Sequence, residues 1–436
     1  MIEPPFQVAF TGNMLPRYVP GGHGFVTETE RERYPGLRVT EVNSAFTPAW
    51  WYEGKGITDL VSHGEGVTAH PTAETRSEDL DRRALPLWYK ADTGAGRFQI
   101  TAALIGAGED MDALLFVSRR RLCWRGRIAS GRRIMVTALC DVSPIIAVDG
   151  GDAALGDLGR FEDTSVDVTV ANAALGALTI EPWTGPALYL MGDSTVTDQP
   201  AEVPYAPGAT YAGWGQMLPN WLRKQYCVSN HAHSGLSTET FREKGHFDLM
   251  RGLLRPGDLV LIQFGHNDQK RLHLAADTGY TENLLRYIRE IRAAGAVPVL
   301  VTPLARNTWA SETEYNDMLA PFATAMKQIG HAENVPVLDL HAAMKEALCR
   351  VGMDAARQWF HPCDYTHTND FGAYMAAGFV ASALCRAGMA RPEAIPEWPV
   401  HDPLTVLEAP PGLTPPDGEK PLVDYGLIPD APWPVT

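Results

Sequence analysis

The chain has 436 residues, 45% of them hydrophobic, which exceeds the usual single-domain size and leaves material for two buried cores. A formal net charge of −15 and a pI near 5.3 argue against nucleic acid or an anionic membrane surface as the main partner, because both reward a basic face. Met1 to Phe6 offers neither a basic n-region nor an apolar h-region, and no apolar run is long enough to span a bilayer, so the expected location is cytoplasmic, or secreted if a signal was removed.

Up to residue 182 the recurring signal is period-two alternation, as in Arg97 to Thr101, Arg133 to Thr137 and Ser165 to Val170. Turn-rich breaks at Asp92 to Gly96, Gly106 to Gly108 and Asp149 to Asp152 punctuate it, and no convincing helical pattern intervenes. Residues 1–182 are therefore expected to form an all-β sandwich. Its aromatics, among them Trp50, Trp51, Tyr52, Trp88, Tyr89 and Trp124, suit core packing better than a sugar-stacking platform.

The stretch Glu181 to Pro186 reads as a boundary, and residues 183–398 change to an α/β rhythm. Leu188 to Met191, Leu259 to Ile262, Val297 to Val301 and Val335 to Asp339 are nearly continuous apolar runs, the pattern of a parallel sheet covered on both faces. Helices are expected over 282–294, 314–329 and 371–387. Residues 399–436, with two Pro-Pro pairs, are expected to be a tail or surface strap. The six cysteines, Cys123, Cys140, Cys227, Cys349, Cys363 and Cys385, form no CxxC pair and read as reduced thiols.

Chemistry concentrates at or near the carboxyl ends of the apolar runs, where open α/β sheets place their functional crevice. Gly192-Asp193-Ser194-Thr195 follows the first run and puts Ser194 on a tight turn, where it is either a nucleophile or a helix cap. Asn230 to Gly235 supplies a glycine whose amide can approach an oxyanion, and Phe264-Gly265-His266-Asn267-Asp268 supplies a carboxamide donor. Asp364-Tyr365-Thr366-His367 delivers a carboxylate and an imidazole three residues apart, able to meet on one turn. A serine needs such a base and orienter before it can attack at neutral pH.

In this order the four segments resemble the SGNH (GDSL) hydrolases. That resemblance implies a flavodoxin-like three-layer α/β domain with Ser194 as nucleophile, His367 as base and Asp364 as orienter. It also implies an oxyanion hole from the Ser194 and Gly235 amides and the Asn267 side chain, with no metal or cofactor. Tyr211 to Leu218, Phe264 to Gln269 and Thr366 to Asn369 are similar to the rhamnogalacturonan acetylesterase group, except that Leu236 stands where the group often has Arg. The substrate so implied is an acetylated pectic oligosaccharide; another acylated glycan or a small ester is the alternative.

Trp214, His266 and Asp268 are carried as candidates for substrate contact. Trp214 has the rival role of a structural plug in a loop-like stretch, and Asp193 and Asp268 that of turn-fixing acceptors. Lys244, Lys270 and Arg271 lie near enough to attract a galacturonate, although solubilising charge explains them equally. Two readings compete with the esterase. One is a metallophosphatase recruiting His231, His233, His266, His361 and His367, against which the early Asp-x-His and bridging Gly-Asp-x-x-Asp motifs are missing. The other is a carbohydrate-binding protein that has lost activity. The oligomeric state is open, a homo-oligomer included.

Overall fold

The computed structural model describes residues 1–12, 15–26, 58–71, 87–106, 112–146, 160–162, 164–199, 211–361 and 364–391. The stretch from 399, the aromatics Trp50, Trp51 and Tyr52, the breaks at 107–108 and 149–152, and Cys363 lie outside the described residues.

Period-two alternation becomes antiparallel strands: β1 (Phe6–Ala9), β2 (His23–Phe25), β3 (Thr58–Ser62), β4 (Val67–Pro71), β5 (Leu87–Asp92), β6 (Gly96–Gly106) and β7 (Ala113–Val117). They continue with β8 (Arg121–Gly126), β9 (Arg133–Val142), β10 (Ile145–Ile146), β11 (Arg160–Phe161), β12 (Ser165–Ala171) and β13 (Ala173–Pro182). One sheet runs β3-β4-β13-β6-β9, with β1 also on β13; another runs β2-β5-β12-β7-β8; β10 and β11 pair separately. Ile100, Ala102 and Leu104 of the first sheet share one apolar core with Leu115, Val117, Val166 and Val168 of the second.

Strand β12 is buried at every position although its sequence alternates. Val166, Val168 and Val170 enter the shared core, whereas Ala171 on the other face joins Leu114, Phe116 and Leu122 against the second half of the molecule. Covering on both faces means that Asp167 is buried too, and it accepts hydrogen bonds from Trp88 Nε1 at 2.7 Å and Ser165 Oγ at 3.0 Å.

The apolar runs of the second half form parallel strands β14 (Ala187–Met191), β15 (Cys227–Asn230), β16 (Leu259–Ile262), β17 (Val297–Val301) and β18 (Val337–Leu338). Their order is β15-β14-β16-β17-β18, the 2-1-3-4-5 arrangement of flavodoxin-like sheets. Both faces are covered, which explains the unbroken apolar pattern. Leu188 and Leu190 pack with helices α1 (Trp214–Leu222), α6 (Leu340–Val351) and α8 (Asp370–Arg386). Ala187, Tyr189 and Met191 point the other way, toward α2 (Thr240–Glu243), α3 (His246–Arg251), α4 (Gly279–Ala293) and α5 (Ala320–Glu333); α7 (Met353–Ala356) precedes α8.

Strand β13 ends at Pro182 and β14 begins at Ala187. The helix expected over 314–329 begins instead at Ala320, because Pro321 fits only a first helical turn. Trp214 opens a helix and does not lie in a loop. Its neighbour Gly215 lets α1 close onto the turn after Ser194, since a Cβ there would lie 2.4 Å from Val196 O. Among the described residues no helix is long and apolar enough to cross a membrane.

Candidate active site

Strand β14 ends at Met191, and a short turn follows at once without the helix that the sequence suggested. Asp193 builds that turn: its Oδ1 accepts from Thr195 N at 2.9 Å and Thr195 Oγ1 at 2.8 Å, and its carbonyl accepts from Val196 N and Thr197 N. Ser194 is left at the rim, 9% exposed.

The second arm comes from the loop before α8. Asp364 Oδ1 accepts from the Thr366 and His367 amides at 2.7 and 2.9 Å, which curls the segment so that Oδ2 meets His367 Nδ1 at 2.7 Å. A carboxylate facing Nδ1 places the proton there and leaves Nε2 as acceptor. Ser194 Oγ donates to that Nε2 at 2.8 Å across a sequence separation of 173 residues. Asn369 holds the loop in place, capping α8 through Gly372 N at 2.9 Å while its Nδ2 donates to Gln358 O at 2.8 Å. The Tyr211 ring stacks on His361 at 3.5 Å and meets His367 edge-on at 5.7 Å.

Burial opposes ionisation of Asp364, yet the bond and charge of His367 and the two amides hold its carboxyl at about 2. A depressed acid contributes stability above its unfolded value, and that contribution is lost as pH falls through about 2. Between pH 5 and pH 2, urea denaturation of the parent should therefore lose more stability than that of Asp364→Asn, by on the order of 2 kcal/mol. Equal losses in the two proteins would remove this account of the carboxylate.

The expectation that Trp214, His266 and Asp268 touch substrate is corrected by their burial, at 0, 2 and 0% exposure. Their polar atoms are used internally. Trp214 Nε1 donates to Gln263 Oε1 at 2.8 Å, Gln263 Nε2 to Thr195 Oγ1 at 2.6 Å, and Thr195 Oγ1 to Asp193. The other oxygen of Asp193 faces His266 Nδ1 at 3.1 Å, and His266 Nε2 donates to Leu304 O at 2.9 Å. This chain of bonds lies beneath the serine turn and fixes it. Asp268 accepts from Thr238 N, Thr238 Oγ1 and Gly265 N, and burial pushes its carboxyl up to about 6. The turn-fixing roles expected of Asp193 and Asp268 match these contacts.

Gly235 is exposed with φ +79°, a conformation that suits glycine, and no heavy atom lies within 4 Å of a built Cβ. Asn267 is half-buried; its Nδ2 donates one hydrogen to Leu236 O at 3.0 Å, leaving the second N–H for another acceptor. Lys270 Nζ donates to Asn267 Oδ1 at 3.0 Å, which fixes the amide orientation. Burial lowers the Lys270 ammonium, and this side chain is not the freely exposed solubilising charge that the sequence allowed.

The five histidines weighed as metal ligands are engaged with other groups, His233 Nδ1 with Ser234 O at 3.1 Å and His367 with Asp364. His231 is buried beside Ser229 and stacks on Tyr189, His266 is held by Asp193 and Leu304, and His361 stacks on Tyr211. Among the described residues no group of three or more His, Cys, Asp or Glu comes together as a metal-binding set. Three contributions escaped the sequence reading: Gln199, whose Nε2 donates to Ser194 O at 2.7 Å, the Tyr211 ring, and a run of arginines at 119–121. Tyr211 stood at the head of the stretch to Leu218 without its ring being given a role, and the arginine run was visible only as a charge run, which ordinarily marks a solvated face.

The GDSL-like lipase/acylhydrolase family model matches residues 190–372. Rhamnogalacturonan acetylesterase RhgT of Bacillus subtilis is 32% identical over 215 residues, covering 46% of this chain and 90% of that protein. The probable rhamnogalacturonan acetylesterase YesY of the same organism is 32% identical over 216 residues, covering 48% of this chain and 96% of that protein. A crystal structure of the B. subtilis protein YxiM covers 88% of this chain and 99% of its own, with 21% identity and a TM-score of 0.45. On this sequence kinship the chain belongs to the SGNH/GDSL-like lipase and acylhydrolase family and is a carboxylic ester hydrolase.

Proposed function

We propose that the chain removes acetyl groups from pectic, rhamnogalacturonan-type oligosaccharides, with Ser194 as nucleophile, His367 as base and Asp364 as its orienter. The observation that carries this reading is the continuous relay of 2.8 Å from Ser194 Oγ to His367 Nε2 and 2.7 Å from His367 Nδ1 to Asp364 Oδ2. His367 takes the serine proton as Oγ attacks the ester carbonyl, and Asp364 stabilises the imidazolium. The negative charge that appears on the carbonyl oxygen is met by the Ser194 and Gly235 amides and the second N–H of Asn267. His367 then returns the proton to the departing sugar hydroxyl, and a water deprotonated by the same imidazole releases acetate from the serine.

The acetyl and pectic parts of the proposal rest on the relatives named rhamnogalacturonan acetylesterase, each matched over nine-tenths or more of its length. We assign residues 1–182 to a β-sandwich domain, from the two antiparallel sheets and their common core, and 183–398 to the hydrolase domain. Leu236 supports the second reading, an ester of another glycan, because a fully buried leucine presents no charge to a uronic acid where the acetylesterase group often has Arg.

The deciding experiment compares p-nitrophenyl acetate with acetylated rhamnogalacturonan fragments, with and without EDTA, in the parent and in His367→Ala. Acetate release from both substrates, indifferent to EDTA and lost in the variant, is expected. Activity abolished by EDTA would overturn the serine mechanism. Hydrolysis of the aryl ester without acetate release from the fragments would overturn the pectic assignment alone.

A further inference from the structure

The turn between β7 and β8 carries Arg119 and Arg120 and runs into Arg121, the first residue of β8; the three are 8, 1 and 4% exposed. Three adjacent guanidinium groups are costly to bury unless each finds acceptors. They meet acceptors in the hydrolase half, at Asp198 and Gln199 in the segment that follows Ser194 and at Tyr211, Gln216, Val228 and Asn230. Arg121 Nε and Arg119 NH2 reach Asp198 Oδ2 at 2.9 and 3.1 Å, and Asn230 Nδ2 donates to Asp198 Oδ1 at 2.9 Å. Arg119 also donates to Asn230 O at 2.5 Å, and Arg121 to Val228 O at 2.9 Å.

Arg120 sits deepest. Its NH2 donates to Tyr211 O, to Gln199 O at 3.3 Å and to Gln216 Oε1 at 3.3 Å. Gln216 Nε2 closes the group by donating to Gln199 O at 2.9 Å and Arg119 O at 3.3 Å. Gln199 is the link to the chemistry, because its side chain donates to the carbonyl of Ser194 at 2.7 Å. Tyr211 is the second link, because its ring lies edge-on against His367 at 5.7 Å. The turn itself is strained: Ser118 and Arg120 adopt φ of +50° and +54° without being glycine, a conformation that persists only where the surroundings hold it.

We infer that the arginine turn of the antiparallel half is a positioning element of the ester-hydrolysing site, with Arg120 acting through Gln199 on the Ser194 backbone and through Tyr211 on His367. The inference rests on the reading of Ser194 and His367 as nucleophile and base. All three of these Arg120 bonds leave from one terminal nitrogen of the guanidinium, so a side chain that presents no donor there cannot hold Gln199 and Tyr211 in place. The antiparallel half thereby becomes part of the catalytic unit.

The test uses the full chain carrying Arg120→Met, Arg120→Lys or Gln199→Ala, with kcat and KM for p-nitrophenyl acetate expressed per folded molecule from near-UV circular dichroism. A misplaced nucleophile should lower kcat by about 10- to 100-fold and leave KM within about threefold. The lysine variant should retain more activity than the methionine variant. Gln199→Ala, which leaves the arginines in place, should show the same split between kcat and KM. If the Arg120 variants do not fold, Gln199→Ala decides alone. A kcat within about twofold of the parent in Gln199→Ala overturns the inference, whatever the Arg120 variants do. Ser194→Ala is measured beside them: full activity there sinks the nucleophile reading itself, whereas an inactive Ser194→Ala beside an unaffected Gln199→Ala sinks only the positioning role.

Discussion

Ser194→Ala is expected to lower kcat for p-nitrophenyl acetate by roughly a million-fold, because the nucleophile of a serine triad cannot be replaced by its neighbours. The hydroxyl is the group that His367 Nε2 faces at 2.8 Å, and alanine leaves nothing for the imidazole to deprotonate. Residual catalysis of about 1,000- to 10,000-fold over water should persist, since the oxyanion donors and the binding surface remain. The fold should be unaffected. The serine turn is held by the Asp193 side chain, by the Ser194 carbonyl through Gln199 and by the polar chain beneath it, and none of these uses Ser194 Oγ. Alanine preserves the backbone groups and adds no volume. Steady-state kinetics beside near-UV circular dichroism checks both halves of the expectation. A folded variant with a tenth or more of parental activity would require another nucleophile.

The second large effect concerns stability. Arg97 on β6 makes a forked pair with Asp258, through NH1 to Oδ1 at 3.0 Å and NH2 to Oδ2 at 2.7 Å, with side chains only 5 and 2% exposed. NH2 also donates to Tyr189 Oη at 3.0 Å on β14, so one guanidinium joins the antiparallel half to the parallel sheet. Asp258 still accepts from Ala187 N and Arg255 N, yet without Arg97 it is a buried charge with no cation beside it. Arg97→Met should cost about 3–5 kcal/mol in urea denaturation. Adding Asp258→Asn should recover part of that loss, because the stranded charge, more than the missing bond, carries the penalty. A cost below about 1 kcal/mol would show that water reaches the carboxylate and that the pair behaves as a surface ion pair.

The same pairs explain what could be read in advance. The β-to-α/β switch near residue 182 was legible because the two halves obey different periods, two in Arg133 to Thr137 and an unbroken apolar run in Leu188 to Met191. Asp364 and His367 were legible as a pair because three residues on one turn suffice to bring them together. Helix α1 was not legible, because glycines flank Trp214 and Pro219 lies within it; its stability comes from Trp214, Met217, Leu218 and Trp221 packing against the parallel sheet and α8.

Trp214, His266 and Asp268 show the limit most directly. Their nearness in sequence to the active segments suggested contact with substrate, but side-chain direction, which sequence distance does not encode, turned all three inward, Trp214 and His266 under the serine turn and Asp268 onto Thr238 and Gly265. Local sequence thus determined the chemistry on offer, a serine after a parallel strand and a carboxylate–imidazole pair before the last helix, since both depend on short-range turns and strand periodicity. Only the tertiary structure decided that Ser194 meets His367 across 173 residues and that three arginines from the β half are buried beside the segment carrying the serine. Those contacts join distant parts of the chain, where the partner of a charged or polar side chain is set by packing and desolvation and leaves no periodic trace in the sequence.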